Sequence, residues 1–354
     1  IDQMKRKAYD SDPIPSNLTH DKYKHGTRDY IIKEEITNDT IDLSLIMDFI
    51  TKDEKKYKYG EILKQQGYDI SGFRSQDLNA NFLPTENIKI PVNKNNVITS
   101  GLVNEFDESL IEDEIIIKIK SQAIYKNRLL MMDIVSNNDW KRPIYFTGGA
   151  FSDEDYIWMK DYLQLDGMCY KLIPIRTKIN PQNPYEMGRV DSEKMIEIVK
   201  KWSWGNPNEN NIYLDEESRK NSITYRGNIS RLIKQLIVED KKEKALELLD
   251  LTMKKMPIKD YGYYTLLEPF IDSYYLLENN KKARKIYTLV SSKYQEKLFY
   301  FSGLSENNKI LYSELIYTNI ERYRSLVETI LPYESEEYYK EVLNEFNSYL
   351  DLFL

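Results

Sequence analysis

A strand-like segment that ends in two glycines is the first place where the sequence could bind a ligand. The run YFTGG at residues 145–149 places Gly148 and Gly149 directly after apolar residues. Such a turn lets backbone N–H groups approach a phosphate. The run lacks the GxGxxG and GxxxxGK fingerprints of nucleotide sites, so an ordinary strand-to-helix turn explains it better.

Trp140 and Arg142 precede the same strand. An aromatic ring beside a guanidinium can stack on a sugar or on a partner's side chain. The competing interpretation, which we favour, is that Trp140 is buried and holds the domain together. Tyr274 and Tyr287, in the helical part of the chain, complete the candidate partner or ligand surface.

Residues that bind metals or act as nucleophiles are sparse. His20 and His25 flank Asp21, but nothing nearby supplies the remaining ligands of a zinc site. The acidic run 152–155 lacks the spaced oxygens and the glycine of an EF-hand loop, and a helix N-terminus explains it better. With only two histidines, a Ser-His-Asp triad is disfavoured. We predict no catalytic residue, no metal site and no cofactor.

The elements that would position these residues form an α/β part at residues 1–215. Alternation of strand-like and helical runs predicts βαβ units and a mixed, partly parallel, Rossmann-like sheet with flanking helices. Asp39 and Thr40 would cap the second helix, and 51–82 is expected to be irregular. Strands are predicted at 30–32, 88–92, 115–119, 143–146 and 170–175, and helices at 1–9, 43–50, 128–136, 156–165 and 192–202.

The second part, residues 216–354, is predicted to be all-α. Two stretches superimpose when Ala245 is matched to Ala283, which predicts tetratricopeptide (TPR)-like units. The repeats are degenerate, since Ile233 and Ile271 stand where a small residue is preferred and Glu296 replaces the closing proline. Two further helices, at 310–330 and 339–350, would close the stack. The positions at which a TPR unit carries bulky residues are occupied by Ile229, Leu232, Leu236, Leu249, Leu267, Phe270, Tyr274, Tyr287 and Val290.

Composition narrows the classes of partner. The 354 residues suffice for two domains. With 57 acidic and 50 basic residues mixed along the chain, no basic face is available for nucleic acid. The single Cys169 excludes an intramolecular disulfide and a zinc site built from several thiolates. No apolar run reaches about 18 residues, so we expect no direct membrane insertion.

Two segments carry a family resemblance. They are NRLLMMDIVSNNDWKRPIYF at 127–146 and DYLQLDGMCYKLIPI at 161–175. Both resemble the multispanning, protein O-mannosyltransferase-like membrane family, long catalogued as a domain of unknown function, which is common in Bacteroidetes and has an animal transmembrane relative. The opening run IDQMKRKAY is similar to the point shortly after the last membrane helix in such proteins.

The resemblance implies a GT-C type glycosyltransferase that uses a lipid-linked sugar and keeps its acidic catalytic residue in the membrane domain. No catalytic residue can therefore be carried over to this sequence. The chain would be the non-catalytic C-terminal region, on the periplasmic side of the inner membrane and tethered through an upstream membrane domain. Its partners would be that membrane domain and an acceptor or partner protein held in the TPR-like groove. The resemblance also implies a strand just upstream of Ile1. That strand is missing from this sequence, so we expect the sheet to be incomplete.

Two alternatives stay open. The first is a free-standing TPR-type scaffold protein, which the absence of upstream membrane spans would favour. The second is an α/β enzyme with a nucleotide-sugar site near Gly148 and Gly149, which binding to a panel of nucleotides would reveal.

Overall fold

The computed structural model describes residues 12–147, 152–180, 186–204, 212–262 and 266–353. The chain divides into two compact units, of which the first ends at Arg189 and the second begins at Val190. This division precedes the expected boundary at 215 because the helix Ser192–Lys200 packs against the helix Glu216–Val238. The helix predicted at 1–9 lies outside the described residues.

The described part of the N-terminal unit forms three small sheets of three strands each, in place of one Rossmann-like sheet. Their strands are β1 Tyr30–Lys33, β2 Ile41–Asp42, β3 Phe82–Leu83, β4 Asn87–Pro91, β5 Glu114–Lys118, β6 Ala123–Tyr125, β7 Tyr145–Thr147, β8 Leu163–Asp166 and β9 Cys169–Leu172. The strand orders are β3-β1-β6, β2-β4-β5 and β7-β9-β8. The first two sheets each contain one parallel and one antiparallel pair, so the predicted mixed pairing is confirmed.

The third sheet is antiparallel throughout, which corrects the predicted βαβ unit. The predicted helix 156–165 is wrong, because Leu163–Asp166 is a strand whose four residues are all buried. A two-residue loop, Gly167 and Met168, joins β8 to β9. Gly167 has φ 68°, and a two-residue hairpin loop needs such a positive φ at its first position.

Short helices cover the sheets of this unit. They are α1 His20–Tyr23, α2 Leu43–Thr51, α3 Tyr59–Gln65, α4 Ser75–Leu78, α5 Lys94–Thr99 and α6 Lys126–Asn138. The predicted helices at 43–50 and 128–136 are confirmed as α2 and α6. The cap of α2 is Asp42, which accepts the N–H of Ser44 at 3.0 Å, and not Asp39 and Thr40. The region 51–82 contains α3 and α4 and is less irregular than expected.

The C-terminal unit is built from helices, as predicted. They are α7 Ser192–Lys200, α8 Glu216–Val238, α9 Lys242–Lys255, α10 Ile258–Tyr261, α11 Glu268–Leu276, α12 Asn280–Ser302, α13 Glu306–Leu311, α14 Ser313–Ile330 and α15 Glu336–Leu350. Helix α8 packs against α9, α11 against α12, and α14 against both α12 and α15. Their apolar stripes meet in a continuous core.

The turns α8–α9 and α11–α12 are the same. Asp240 and Glu278 occupy the left-handed region at φ 56° and 58°. In each turn the next residue donates its N–H to a carbonyl of the preceding helix at 2.8 Å: Lys241 to Leu236, and Asn279 to Tyr274. This hydrogen bond, from a residue to the carbonyl five positions before it, is that of a Schellman C-cap motif. The two turns are related by the offset that matches Ala245 to Ala283, and both alanines are fully buried.

Candidate functional site

Trp140 and Arg142 do not form a shared surface. Trp140 is buried, and its Nε1 donates to the carbonyl of Pro91 at 2.8 Å, which ties the end of β4 to the segment after α6. Its expected role as a buried contact is therefore confirmed. Half-buried Arg142 donates to the carbonyl of Asp12 at 2.9 Å. Gly148 and Gly149 lie outside the described residues, so the structure describes no site there.

Tyr274 and Tyr287 are core residues, which corrects their place in the candidate surface. Their exposed fractions are 2% and 3%. The hydroxyl of Tyr274 donates to Asp250 Oδ1 at 2.8 Å, and burial raises the pKa of both tyrosines. Both side chains lie among the buried residues of α11 and α12, which pack against each other.

A buried polar cluster in the β7-β9-β8 sheet was not predicted. Lys171 Nζ lies 3.2 Å from Asp166 Oδ2, and Gln164 Nε2 donates to Asp166 Oδ1 at 2.8 Å. The hydroxyl of Tyr145 donates to the same carboxylate at 3.3 Å, and burial raises its pKa. Because both carboxylate oxygens have donors, we interpret the cluster as a structural ion pair.

The candidate metal-binding residues are not brought together. Among the residues that the structure describes, no group of three or more His, Cys, Asp or Glu side chains could hold a metal ion. The acidic run forms a one-turn 3-10 helix, Asp153–Tyr156, and Ser152 caps it by accepting the N–H of Glu154 at 3.2 Å. The helix N-terminus interpretation of this run is confirmed.

The C-terminal unit presents an apolar surface between the end of α12 and the start of α14. We call it the apolar face; its members, each between 49% and 73% exposed, are Tyr300, Ile310, Leu311, Leu315 and Tyr317. The predicted helix 310–330 treated three of them as core positions, and this is wrong. The chain leaves helical geometry at Tyr312, between α13 and α14, so the residues before the break do not continue the buried stripe of α14.

Two hollows flank the apolar face. A groove of about 640 Å³ runs between the start of α11 and α14, and Tyr317, Glu268 and Arg322 line it. A smaller hollow of about 230 Å³ is lined by Tyr300 and Leu315, among others. Leu315 and Tyr317 are two residues apart on α14 and point to different sides of it, so the two hollows lie on either side of that helix.

Glu268 gives the groove a defined electrostatic character. Burial raises the pKa of its carboxyl group, while two backbone N–H groups and Arg322 oppose the shift. Its Oε2 is buried and has no hydrogen-bond partner among the described residues. An acceptor oxygen beside apolar walls suits the backbone or a polar side chain of a bound polypeptide.

A model of the family TMEM260-associated domain 2 matches residues 1–194. The chain belongs to this family. The family is tied to TMEM260, an O-mannosyltransferase-like membrane protein, which confirms that part of the resemblance. The match ends within α7, before the paired helices. Neither curated proteins nor solved structures give a match.

A helix that crosses a bilayer needs about 20 mostly apolar residues. No helix in the described part of the chain is long and apolar enough to do so.

Proposed function

We propose that the chain is a non-catalytic region of a membrane glycosyltransferase-like protein of the protein O-mannosyltransferase type. Its C-terminal unit docks an acceptor or partner protein, on the extracytoplasmic side of the membrane. The family assignment supports the first part of this proposal. The apolar face supports the second.

The apolar face is the observation on which the docking role depends. Exposed large apolar side chains that cluster in one place are typical of interaction surfaces. Covering one such side chain is worth roughly 1.5–3 kcal/mol. The occupant that fits best is an extended segment of an acceptor protein that crosses α14. Its apolar side chains would cover Leu315 on one side of the helix and Tyr317 on the other, while its polar groups reach Glu268.

The repeated Schellman turns support a TPR-like arrangement of α8, α9, α11 and α12. Arrays of this kind present an extended concave surface to peptides and partner helices. The break between α13 and α14 would then place the apolar face at the end of the array.

A photo-crosslinking experiment in the native cells tests the proposal. A photoreactive amino acid replaces Tyr317 in the full-length protein, and mass spectrometry identifies the crosslinked proteins. We expect crosslinks to proteins that carry O-linked sugar. The triple variant Ile310→Ser/Leu311→Ser/Leu315→Ser should lose them and should lower sugar occupancy on the same proteins.

A matched control replaces exposed apolar residues elsewhere in the unit. Ile212, Tyr213 and Val238 are 51%, 80% and 81% exposed. Their replacement by serine should leave crosslinks and occupancy unchanged. Equal losses in both triple variants, or none in either, would show that the apolar face does not dock acceptors. An upstream sequence without membrane spans would instead support the free-standing scaffold.

A further inference from the structure

A second hollow of the C-terminal unit has a different chemistry. It has a volume of about 160 Å³, and we call it the aromatic cleft. The segment after α7, one face of α8 and the ends of α9 and α10 enclose it. Its lining residues are Trp202, Ser203, Trp204, Leu214, Ser218, Asn221, Ser222, Tyr225, Met256 and Tyr261.

The rings of the aromatic cleft are fixed by contacts with each other. The ring centroids of Trp202 and Trp204 are 5.6 Å apart with an interplanar angle of 63°, and those of Trp202 and Tyr225 are 4.9 Å apart at 85°. Edge-to-face contacts of this kind are favourable and hold the rings at steep angles. The walls of the aromatic cleft are therefore set before any ligand binds.

Ser222 is the polar group for which the fold gives no internal reason. Its side chain lines the cleft and is 1% exposed, yet its Oγ has no hydrogen-bond partner among the described residues. Four other buried serine and threonine hydroxyls of the unit bond to a carbonyl of their own helix: Ser230 to Gly227, Thr252 to Leu248, Ser273 to Pro269 and Ser291 to Thr288. A buried hydroxyl without a partner lowers the stability of the fold, and a ligand that hydrogen-bonds to it would remove that penalty.

The polar groups of the cleft lie on one stripe of α8. Ser218, Asn221, Ser222 and Tyr225 follow the spacing at which residues share a helix face. A core-facing stripe would be apolar at these positions. The stripe therefore pairs neutral donors and acceptors with the indole rings opposite.

The lining of the aromatic cleft selects its ligand. None of the ten described lining residues is charged, although charged residues make up 30% of the chain. Phosphates, carboxylates and ammonium groups would be desolvated there without a charged lining residue to pair with. The volume is also below the roughly 300–1,000 Å³ of sites for larger ligands, so it suits one ring and not a nucleotide.

We propose that the aromatic cleft is a carbohydrate subsite that takes a single pyranose ring of a neutral glycan. The apolar C–H face of the ring packs on an indole, because the negative face of the aromatic quadrupole attracts those hydrogens. Ring hydroxyls hydrogen-bond to Ser222 and Asn221. This goes beyond the docking function and uses other residues, so failure of one proposal leaves the other untouched.

Tryptophan indole N–H signals in NMR spectra of the full chain test the proposal. The chain has four tryptophans, of which Trp202 and Trp204 line the cleft while Trp140 and Trp158 belong to the N-terminal unit. The probes are methyl glycosides of glucose, galactose, mannose and N-acetylglucosamine, up to 50 mM. At least one should shift the signals of Trp202 and Trp204 saturably and leave those of Trp140 and Trp158 in place.

Two serines of α8 provide a matched pair of variants. Ser222→Ala should weaken glycoside binding about five-fold, the value of one ordinary hydrogen bond, without lowering Tm. Ser230→Ala, which removes a buried hydroxyl that bonds within its own helix, should bind like the unchanged protein.

Three results would overturn the proposal. The first is that no glycoside moves either cleft signal by 50 mM. The second is that a proline-rich peptide, such as acetyl-Pro-Pro-Pro-amide, saturates both signals while glycosides do not, which would assign the cleft to polypeptide. The third is that Ser222→Ala binds glycosides as tightly as Ser230→Ala.

Discussion

Two buried cationic side chains, one in each unit, lie in different surroundings. In the N-terminal unit, Lys171 is 4% exposed and its Nζ lies 3.2 Å from the Asp166 carboxylate. In the C-terminal unit, fully buried Arg226 donates to the backbone carbonyls of Met256 at 2.9 Å and Gly262 at 2.7 Å. Burial lowers the pKa of Arg226 to about 10.

The difference follows from what each kind of structure offers. In an antiparallel sheet, side chains from neighbouring strands face each other, so a cation meets an anion. Met256 and Gly262 are the C-cap residues of α9 and α10, where carbonyls lack helical donors and the helix dipole is negative. Arg226 therefore caps two helices at once. The local structure therefore decides the partner of a buried cation: a carboxylate on a neighbouring strand for Lys171, and helix-end carbonyls for Arg226. Arg28 of the N-terminal unit follows the same rule, since it is buried and donates to the carbonyls of Ile50 and Thr51 at the end of α2.

The largest expected effect comes from breaking the ion pair in the sheet. Lys171→Met leaves a buried carboxylate without its cation, and we expect the free energy of unfolding to fall by about 3–5 kcal/mol. Guanidinium chloride unfolding of the full chain measures this loss. Hydrogen exchange should place it at the amides of β8 and β9.

The double variant Lys171→Met/Asp166→Asn sharpens the same comparison. It removes both charges, so at least half of the lost stability should return. A double variant as unstable as Lys171→Met alone would show that packing, and not the unpaired charge, causes the loss.

Removing the helix-capping Arg226 should lower the free energy of unfolding by less than Lys171→Met does. Arg226→Met deprives two C-cap carbonyls of their charged donor, and we expect a loss of about 2–3 kcal/mol. Faster hydrogen exchange should be confined to the ends of α9 and α10. Arg324→Met is the control, since Arg324 forms a more exposed pair with Glu321 and should cost less than about 1 kcal/mol.

Glu268 provides a pH-dependent test within the helical unit. Burial raises its pKa in the folded state, so the fold favours the protonated form and loses stability as pH rises through that pKa. Glu268→Gln should therefore raise Tm at pH 7. The difference should disappear toward pH 4, where the carboxyl group of the unchanged protein is protonated too. A Tm difference that is constant from pH 4 to 8 would contradict this account.

The smallest expected changes in the free energy of unfolding come from two buried tyrosines, Tyr274 and Tyr287. Tyr274→Phe removes a hydrogen bond to Asp250 and should cost about 1 kcal/mol. The hydroxyl of Tyr287 has no hydrogen-bond partner among the described residues, so Tyr287→Phe should be neutral or slightly stabilising. Chemical unfolding of both variants side by side measures the contrast, and equal losses would contradict it.

Helices were predicted better than sheets because helical periodicity is a local property. The stripes of α8 and α11 were visible in the sequence, and their residues are buried. The pairing of β7 with β9 depends on contacts between residues more than 20 positions apart, whereas β8 and β9 are joined by the two-residue loop Gly167 and Met168. Apolar residues at 156–165 recur at helical spacing, but Ile157 and Trp158 take φ 53° and 60°, which an α-helix does not permit.

The candidate sites were predicted less well than the fold. Tyr274 and Tyr287 were chosen for their residue type, whereas burial decided their role. The apolar face arises from a break at Tyr312 that no glycine or proline marks in the sequence. The signal that could have identified the aromatic cleft is the polar stripe of α8 at Ser218, Asn221 and Ser222, where a core stripe should continue.

The identical turns at Asp240 and Glu278 bear on the ancestry of the C-terminal unit. Neither position carries glycine, although the left-handed backbone conformation favours glycine. Most of the residues that flank the two turns also differ. A shared backbone geometry at a shared spacing, with little shared sequence beyond the buried alanine, is what a duplicated helical hairpin leaves after its sequence has diverged. Searches for further copies should therefore look for a left-handed residue with a buried alanine five positions later, and not for sequence identity.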